Sequence, residues 1–463
     1  MIYKPPPKFW RGFLDGKILI EMIDLIIPQK VKDLIKKFQE NKAEIYIVGG
    51  GVRDLMLGRE VKDWDFTTNL TPDEMKKIFP KNSFCNNAFG TFSVVGKNGE
   101  IFEITTFRTE NGYSDNRHPD EVKWGKSLEE DLERRDFTIN AMTIDANDKI
   151  IDLYQGQKDL ENKLIRTVGE ADERFKEDAL RLMRAVRIAS QIGFEIESKT
   201  MESIKRNAGL INNIAGERIR DELFKILLSE NSVKGIELLR DSGLLNEIIP
   251  ELLEGVDMVQ KGHHIDDVWT HNLKTLENCN SKNPVTRLAA LLHDVGKPRS
   301  MVGEGSERTF HNHEIIGSRI ALKIGKRLRL SNQELNQLFR LTRWHMFTVQ
   351  ETQTDKAVRR FIRNITPEYI DEMIALRRGD RLGSGSKETS WRWELFKERI
   401  VEVQKQPFAV RDLKVKGEDV MEILNIKPGP KIGEVLNAIF KEVEEDPTLN
   451  EREILLEKIK SFK

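Results

Sequence analysis

The sequence predicts an α+β protein: a small head built on a mixed sheet, followed by a remainder that is nearly all helix. Three observations predict it. From Pro28 to about Asp152, short β-rich runs (Ile45 to Val48, Thr91 to Val95, Ile101 to Phe107) alternate with short helical segments and glycine turns. After Arg166, Leu, Ile, Met and Ala recur at spacings of three and four, with almost no strand signal through to Lys463. At 463 residues the chain exceeds the size at which one hydrophobic core keeps growing, so several domains are expected to share it.

Prolines 250, 284, 298, 367 and 407 and the turn Lys427-Pro428-Gly429-Pro430 punctuate the helices. The expected division is an N-terminal extension (1–27), a head (28–152), a helical neck (153–235), a helical body (236–400) and a helical tail (401–463). Composition excludes little. Lys and Arg total 75 against 76 Asp and Glu, a formal net charge of -1, but phosphate contacts depend on local clusters rather than on the sum. Cys85 and Cys279 are too few for a disulfide framework or a cysteine zinc site; both read as small buried hydrophobes, and a reducing cytoplasm is the simplest compartment. The apolar run Ile18 to Ile27 is interrupted by Glu21 and Asp24 and is far shorter than a membrane span, so no membrane partner is expected. The Pro5-Pro6-Pro7 stretch before it reads as an extended arm.

In the head, Tyr46 to Val48, Gly49-Gly50-Gly51 and Val52-Arg53-Asp54 read as a strand, a glycine turn and a helix start. That geometry lets backbone N–H groups approach phosphate, with Arg53 adding charge. Asp63-Trp64-Asp65-Phe66-Thr67 then alternates, so that as a strand both carboxylates project from one face while Trp64 and Phe66 pack on the other. Two acids on one face suit a divalent cation. Magnesium favours one or two carboxylates plus substrate phosphates, the arrangement of metal-assisted phosphoryl transfer. Glu103, in Ile101 to Thr105, offers a third acid on a strand able to lie beside the first, though a solvated strand residue accounts for it equally well.

The glycine turn, the Asp-x-Asp strand and a further acid-bearing strand follow the layout of the polymerase-β-like nucleotidyltransferases. Arg134-Arg135-Asp136-Phe137-Thr138-Ile139-Asn140-Ala141-Met142, Asp152-Leu153-Tyr154-Gln155-Gly156 and Glu177-Asp178-Ala179-Leu180-Arg181-Leu182-Met183-Arg184 follow in order. From about Pro28 to about Leu228 the chain thus resembles the bacterial CCA-adding enzymes and poly(A) polymerases. The resemblance implies a head with Asp63, Asp65 and Glu103 as catalytic carboxylates on Mg2+. It implies nucleotide binding by Gly50, Arg53, Arg135, Asp136, Asn140, Asp178, Arg181, Arg184 and Arg187, and CCA addition to the 3′ end of tRNA from CTP and ATP.

Asp178, Arg181, Arg184 and Arg187 step by three, which on the helix around Asp178 lays them along a slanted polar ridge; the plain reading is a solvated helix face with an i to i+3 ion pair, the sharper one a base reader. In the family this Glu-Asp-x-x-Arg motif reads the base. A carboxylate accepts from an exocyclic amino group while a guanidinium donates to ring acceptors, which suits C and A. The polar segment Glu110 to Pro119 is the expected mobile element; in similar enzymes such a loop is needed for the final A, and relatives adding only CC lack it. His118 within it reads as a loop residue.

Seven of the eight histidines (263, 264, 271, 293, 311, 313 and 345) crowd into the helical body. His293-Asp294, with His271 upstream and Asp380 downstream, resembles the HD phosphohydrolase pattern, in which His and Asp ligate a divalent ion, a transition metal or Mg2+. His313 and His345 offer a second ion site. A scaffold that kept its histidines in ordinary hydrogen bonds is the plain alternative. For RNA, the neck offers Lys199, Lys205, Arg206, Arg218, Arg220 and Lys225, and the tail offers Lys414, Lys416, Lys427 and Lys431 beside a helix start. The competing readings are a poly(A) polymerase or A-adding enzyme and, from another class, an HD phosphohydrolase with an RNA-binding head. Against the first stand the CCA-like Val415 to Val420 segment and the Tyr113 to Pro119 loop; against the second, the intact Asp63 and Asp65.

Overall fold

Helix α1 (Gln29–Glu40) buries Val31, Leu34, Ile35 and Phe38, the stripe that its three- and four-residue spacing dictates. It leads into β1 (Ile45–Val48), the glycine turn, α2 (Gly50–Met56) and β2 (Asp65–Thr68). Helix α3 (Pro72–Ile78) starts with a capping box, Thr71 and Glu74 bonding reciprocally and Pro72 at the first turn, an arrangement worth about 1 kcal/mol. Next come β3 (Ser83–Cys85), β4 (Thr91–Val95), β5 (Ile101–Thr106), β6 (Arg108–Asn111), β7 (Glu121–Trp124), α4 (Leu128–Glu133), β8 (Met142–Ile144), β9 (Ile150–Asp152) and α5 (Gly156–Glu161).

The computed structural model describes residues 27–85, 91–96, 99–111, 121–124, 127–259, 266–303, 307–347, 354–404 and 410–462. The N-terminal arm, residues 112–119 of the polar loop with His118, His263, His264 and Pro407 lie outside the described residues. Glu110 and Asn111 do not belong to the loop: they close β6, which pairs antiparallel with β7 in a separate ribbon.

Seven strands form one mixed sheet in the order β3-β4-β5-β2-β1-β8-β9. Only β2 and β5 run parallel, with Asp65 opposite Glu103 and Phe66 opposite Ile104; the other neighbours are antiparallel. Phe66, Phe92, Ile47, Ile104 and Met142 are fully buried beneath it. The expected strand over Asp63 to Thr67 begins two residues late: Asp63 and Trp64 lie outside the strand pairing, and β2 starts at Asp65.

The helices that follow in the first unit are α6 (Ala171–Glu177), α7 (Leu180–Ile192), α8 (Ser198–Asn207), α9 (Gly216–Leu227) and α10 (Ser232–Asp241). Residues 1–253 form one compact unit and 254–463 a second. The second unit holds α11 (Val268–Asn278), α12 (Pro284–Leu292), α13 (His313–Arg327), α14 (Asn332–Trp344), α15 (Asp355–Ile365), α16 (Ile370–Gly383) and α17 (Trp391–Gln404). It ends in α18 (Gly417–Leu424), α19 (Pro430–Glu445) and α20 (Arg452–Lys460). The last three share their own core of Val420, Val435, Ile439, Val443, Leu455 and Ile459. As the proline and glycine turn predicts, α19 begins at Pro430. No described helix is long and apolar enough to cross a membrane. Of the two cysteines, Cys279 is buried, but Cys85 is exposed on the terminal strand of the sheet, against the expectation that both are core residues.

Candidate active site and candidate metal centre

The head site forms where β1, β2 and β5 lie side by side. Asp65 and Glu103 occupy directly paired positions on the parallel strands, and both are exposed, as is Asp63 just ahead of β2. Although Asp65 is open as a residue, desolvation is the largest influence on its carboxyl and raises its pKa. Arg135 opposes this, while Glu103 and Asp63 add to it. The carboxylates of Asp63, Asp65 and Glu103, with one arginine, Arg135, beside them, form an oxygen donor set of the kind a divalent cation takes. The residues present therefore fit such an ion.

The glycine turn is shaped to this site. Gly49 has φ 77° and ψ -145°, a conformation that only glycine adopts readily. A Cβ there would stand 3.4 Å from Arg135 Nη1 and 3.6 Å from Asp65 Oδ2. Backbone, guanidinium and carboxylate meet at Gly49, while a Cβ on Gly50 would lie 3.4 Å from Arg53 Nη2. Gly51 packs on the Asp63 carbonyl, 3.2 Å from where its Cβ would lie.

A polar chain runs from the turn into the neck. Arg53 Nη1 donates to Asn140 Oδ1 (2.9 Å), and Asn140 Nδ2 donates to Asp136 Oδ1 (3.0 Å). Arg184 Nε and Nη2 donate to Asp136 Oδ2 at 2.9 and 2.6 Å. Burial opposes the Asp136 charge, but Arg184 and the Asn140 hydrogen bond outweigh it and hold this carboxyl far below the usual range. Arg187 donates to Glu222 Oε1 on α9 (3.0 Å); burial first, and then Arg184, depress the Arg187 pKa.

The ridge is broken where the sequence reading has it continuous. Asp178 is extended (φ -138°, ψ 103°) and separates α6 from α7; its Oδ1 accepts from the N–H of Leu180 (3.0 Å), the first residue of α7. No Asp178–Arg181 ion pair forms. Asp178 Oδ2 instead pairs with Arg218 Nη2 on α9 (3.1 Å). Arg181 bonds Glu177 and donates to the carbonyls of Arg174 (3.1 Å) and Arg134 (2.9 Å). Several expected RNA-binding residues are likewise in ion pairs: Arg218 with Asp178, Arg206 with Asp172, Lys225 with Glu222 and Arg220 with Asp221.

In the second unit six buried residues converge from five places: His271 on α11, His293 and Asp294 just past α12, His313 at the start of α13, His345 just past α14, and Asp380 on α16. Ligand atoms of His271, His293 and Asp380 lie within 4.8 Å of one another, as do those of Asp294, His313 and His345. Asp294 faces both triads: Oδ2 is 3.4 Å from His271 Nε2 and 3.3 Å from His293 Nε2, while Oδ1 is 3.3 Å from His313 Nε2 and 3.6 Å from His345 Nε2. Nδ1 of His293, His313 and His345 lies 2.8–2.9 Å from the carbonyl three residues earlier, at Ala290, Phe310 and Thr342. That bond places the proton on Nδ1 and turns an Nε2 lone pair inward, the orientation of a metal ligand. His271 Nε2 and His293 Nε2 stand only 3.1 Å apart, and Nε2 of His313 and His345 is buried without a directed hydrogen bond. The donor set fits one or two cations. His311 is exposed and takes no part.

Three residues escaped the sequence reading. Lys297 Nζ lies 2.6 Å from Asp294 Oδ2, Glu222 partners Arg187, and Asp131 holds Arg134 and Arg135. For Asp131 a signal existed, an acid three and four residues ahead of two arginines. Gly296 explains how α13 reaches the centre: its Cβ would stand 2.1 Å from the His313 carbonyl.

The chain is similar to known proteins along most of its length. The Poly A polymerase head domain matches residues 45–166, an RNA and SrmB binding site of polymerase A matches 193–255, an HD domain matches 270–378, and tRNA nucleotidyltransferase domain 2 matches 394–459. A CCA-adding enzyme of Ligilactobacillus salivarius is 34% identical over 436 residues, 94% of this chain and 96% of that protein. One from Lactococcus lactis subsp. cremoris is 31% identical over 438 residues, 94% of this chain and 96% of that protein. Among solved structures, the Bacillus stearothermophilus CCA-adding enzyme in complex with CTP superposes with a TM-score of 0.70 at 28% identity, covering 94% of this chain and 97% of that one. With its head acids on paired strands and its second unit carrying the HD residues, the chain belongs to the CCA-adding enzyme family of nucleotidyltransferases.

Proposed function

We propose that this chain adds CCA to the 3′ end of tRNA, taking CTP and ATP as substrates. The RNA 3′-hydroxyl attacks the α-phosphorus, a new phosphodiester forms, and pyrophosphate leaves. The observation that carries this reading is the pairing of Asp65 with Glu103 on parallel strands beside Gly49 and Arg135. Nucleotidyltransferases of this family use a divalent metal. In this chain Asp63 and Asp65 would hold it, as Mg2+, with Glu103 beside them. Bound there, Mg2+ would neutralise phosphate charge and lower the pKa of the attacking hydroxyl.

The protein's own groups do the rest. Arg135, whose buried Nε has no hydrogen-bond partner, and Arg53 face the phosphates. Arg184, Arg187, Asp136 and Asn140 line the path toward the base. Asp178 and Arg181 read the amino group and ring acceptors of C or A, and to do so they exchange part of their bonding to Arg218 and Glu177. In this reading residues 28–152 carry the chemistry, 153–235 the base reader and 401–463 an RNA grip. The named relatives are CCA-adding enzymes, which disfavours a poly(A) polymerase. Incubating the protein with tRNAs ending before A, CA or CCA, with each nucleotide separately, and sequencing the 3′ ends tests it. Open-ended A addition, or no C incorporation, overturns it.

A second activity has its own observation, the six converging His and Asp side chains. Here the HD unit, residues 236–400, binds a transition metal or Mg2+ through His271, His293, Asp294 and Asp380, with His313 and His345 completing a second position. It hydrolyses 2′,3′-cyclic or terminal phosphates before addition begins. Metal content and hydrolysis of 2′,3′-cyclic AMP are compared before and after His293→Ala; equal values reduce the unit to a scaffold.

A further inference from the structure

Asp131 lies in α4, one turn ahead of the Arg134-Arg135 pair, and its side chain is wholly buried. Its Oδ1 accepts from Arg134 Nη2 (2.6 Å) and Nε (3.1 Å), and its Oδ2 from Arg135 Nη2 (3.2 Å). One carboxylate therefore clamps two successive guanidiniums by different oxygens. The consequences run in two directions. Arg135 Nη1 extends from the clamp to the Gly49 turn, beside Asp65 Oδ2. The Arg134 carbonyl, in the peptide that joins the clamped residues, accepts from Arg181 Nη2 (2.9 Å). The phosphate-facing arginine and the base-reading arginine thus rest on the same short stretch of backbone.

Stability alone does not explain this. A buried ion pair is commonly matched or bettered by apolar residues of similar volume, because removing charges from water offsets most of their attraction. An ordinary helix-surface pair leaves its acid in solvent, whereas Asp131 is fully enclosed and its two arginines are only 18% and 17% exposed. A fixed fork of donors on a buried acceptor does confer a defined direction on both guanidiniums.

We infer that Asp131 is a positioning residue for nucleotide selection, orienting Arg135 toward the triphosphate and, through the Arg134 carbonyl, Arg181 toward the base. The inference rests on the roles given above to Arg135 and Arg181. Asp131→Asn keeps the shape and one acceptor but loses the charge that holds both forks. It is expected to raise KM for CTP and ATP about tenfold and to narrow the preference for CTP over UTP by a similar factor, with a smaller change in kcat. Asp131→Glu, which keeps the charge, is expected to recover part of both. Arg135→Ala and Arg181→Ala are run alongside, with a melting curve for each protein. If these two leave KM and discrimination unchanged, the roles they carry are wrong. If they shift them and Asp131→Asn lowers only the melting temperature, Asp131 is merely structural and the inference falls. Should Asp131→Asn not fold, the same two readouts on Asp131→Glu decide: unchanged KM and selectivity overturn the inference, and a shift in both supports it.

Discussion

Asp65 and Asp136 are two carboxylates of one head with opposite electrostatic fates. Asp65, desolvated first of all and then crowded by Glu103 and Asp63, has its pKa raised, whereas Asp136, buried but grasped by Arg184, has it lowered. Asp65→Asn is expected to reduce CTP incorporation about 100-fold or more, since a cation bound there contributes several kcal/mol to the transition state; single-turnover assays on tRNA lacking CCA measure it. Asp136→Asn acts on stability. Its folded pKa lies below the unfolded value near 4, so its contribution is present at neutral pH and is lost as pH falls through the acid range. The variant is expected to lose about 3 kcal/mol at pH 7, as Arg184 is left without its partner, and to lie closer to the parent at low pH. Urea melts across pH 3 to 7 would show that convergence; a constant gap would contradict it.

Among the elements, strands and capped helices were legible in the sequence because their signals are local. Alternation marks β1, β4 and β5, and Thr71 with Glu74 marks the start of α3. Spacing by three predicts one ridge through Asp178 because the period continues across a break that costs the chain only one extended residue. A local signal for the break existed: an Asp side chain readily accepts from a backbone N–H two residues on, as Asp178 does from Leu180, in competition with a continuous helix. Alternation alone predicts Asp63 within β2, but pairing with β1 and β5 decides where the strand starts. That Glu103 would pair with Asp65 was allowed by the sequence, not required, since register between distant strands is a tertiary choice. The same limit applies to the histidines, whose crowding was visible and whose grouping around Asp294 was not. The glycine turn yields a prediction at this scale. Gly49→Ala forces a side chain into a glycine conformation beside Arg135, and is expected to lose about 1–3 kcal/mol of stability. It is also expected to raise KM for nucleotides; thermal melts and initial rates check both.

For the whole molecule, two compact units with separate candidate metal centres predict separable responses to cations. A transition metal at 100 times its Kd for the HD cluster is expected to stabilise the unit that contains it by about 2.7 kcal/mol, and His293→Ala is expected to abolish that gain. Calorimetry with and without chelator measures it; equal shifts in parent and variant would place the metal elsewhere. The parallel pairing of β2 with β5 bears also on the order of folding. No hairpin can make it, because the partners are 38 positions apart in sequence and β3 and β4 intervene. Such non-local contacts are slow to form, yet everything this one needs lies in the first third of the chain. On a ribosome, where N-terminal segments fold first, the acids can find each other while the helical remainder is still being made. The catalytic floor would then be laid before the neck that selects the base exists to constrain it.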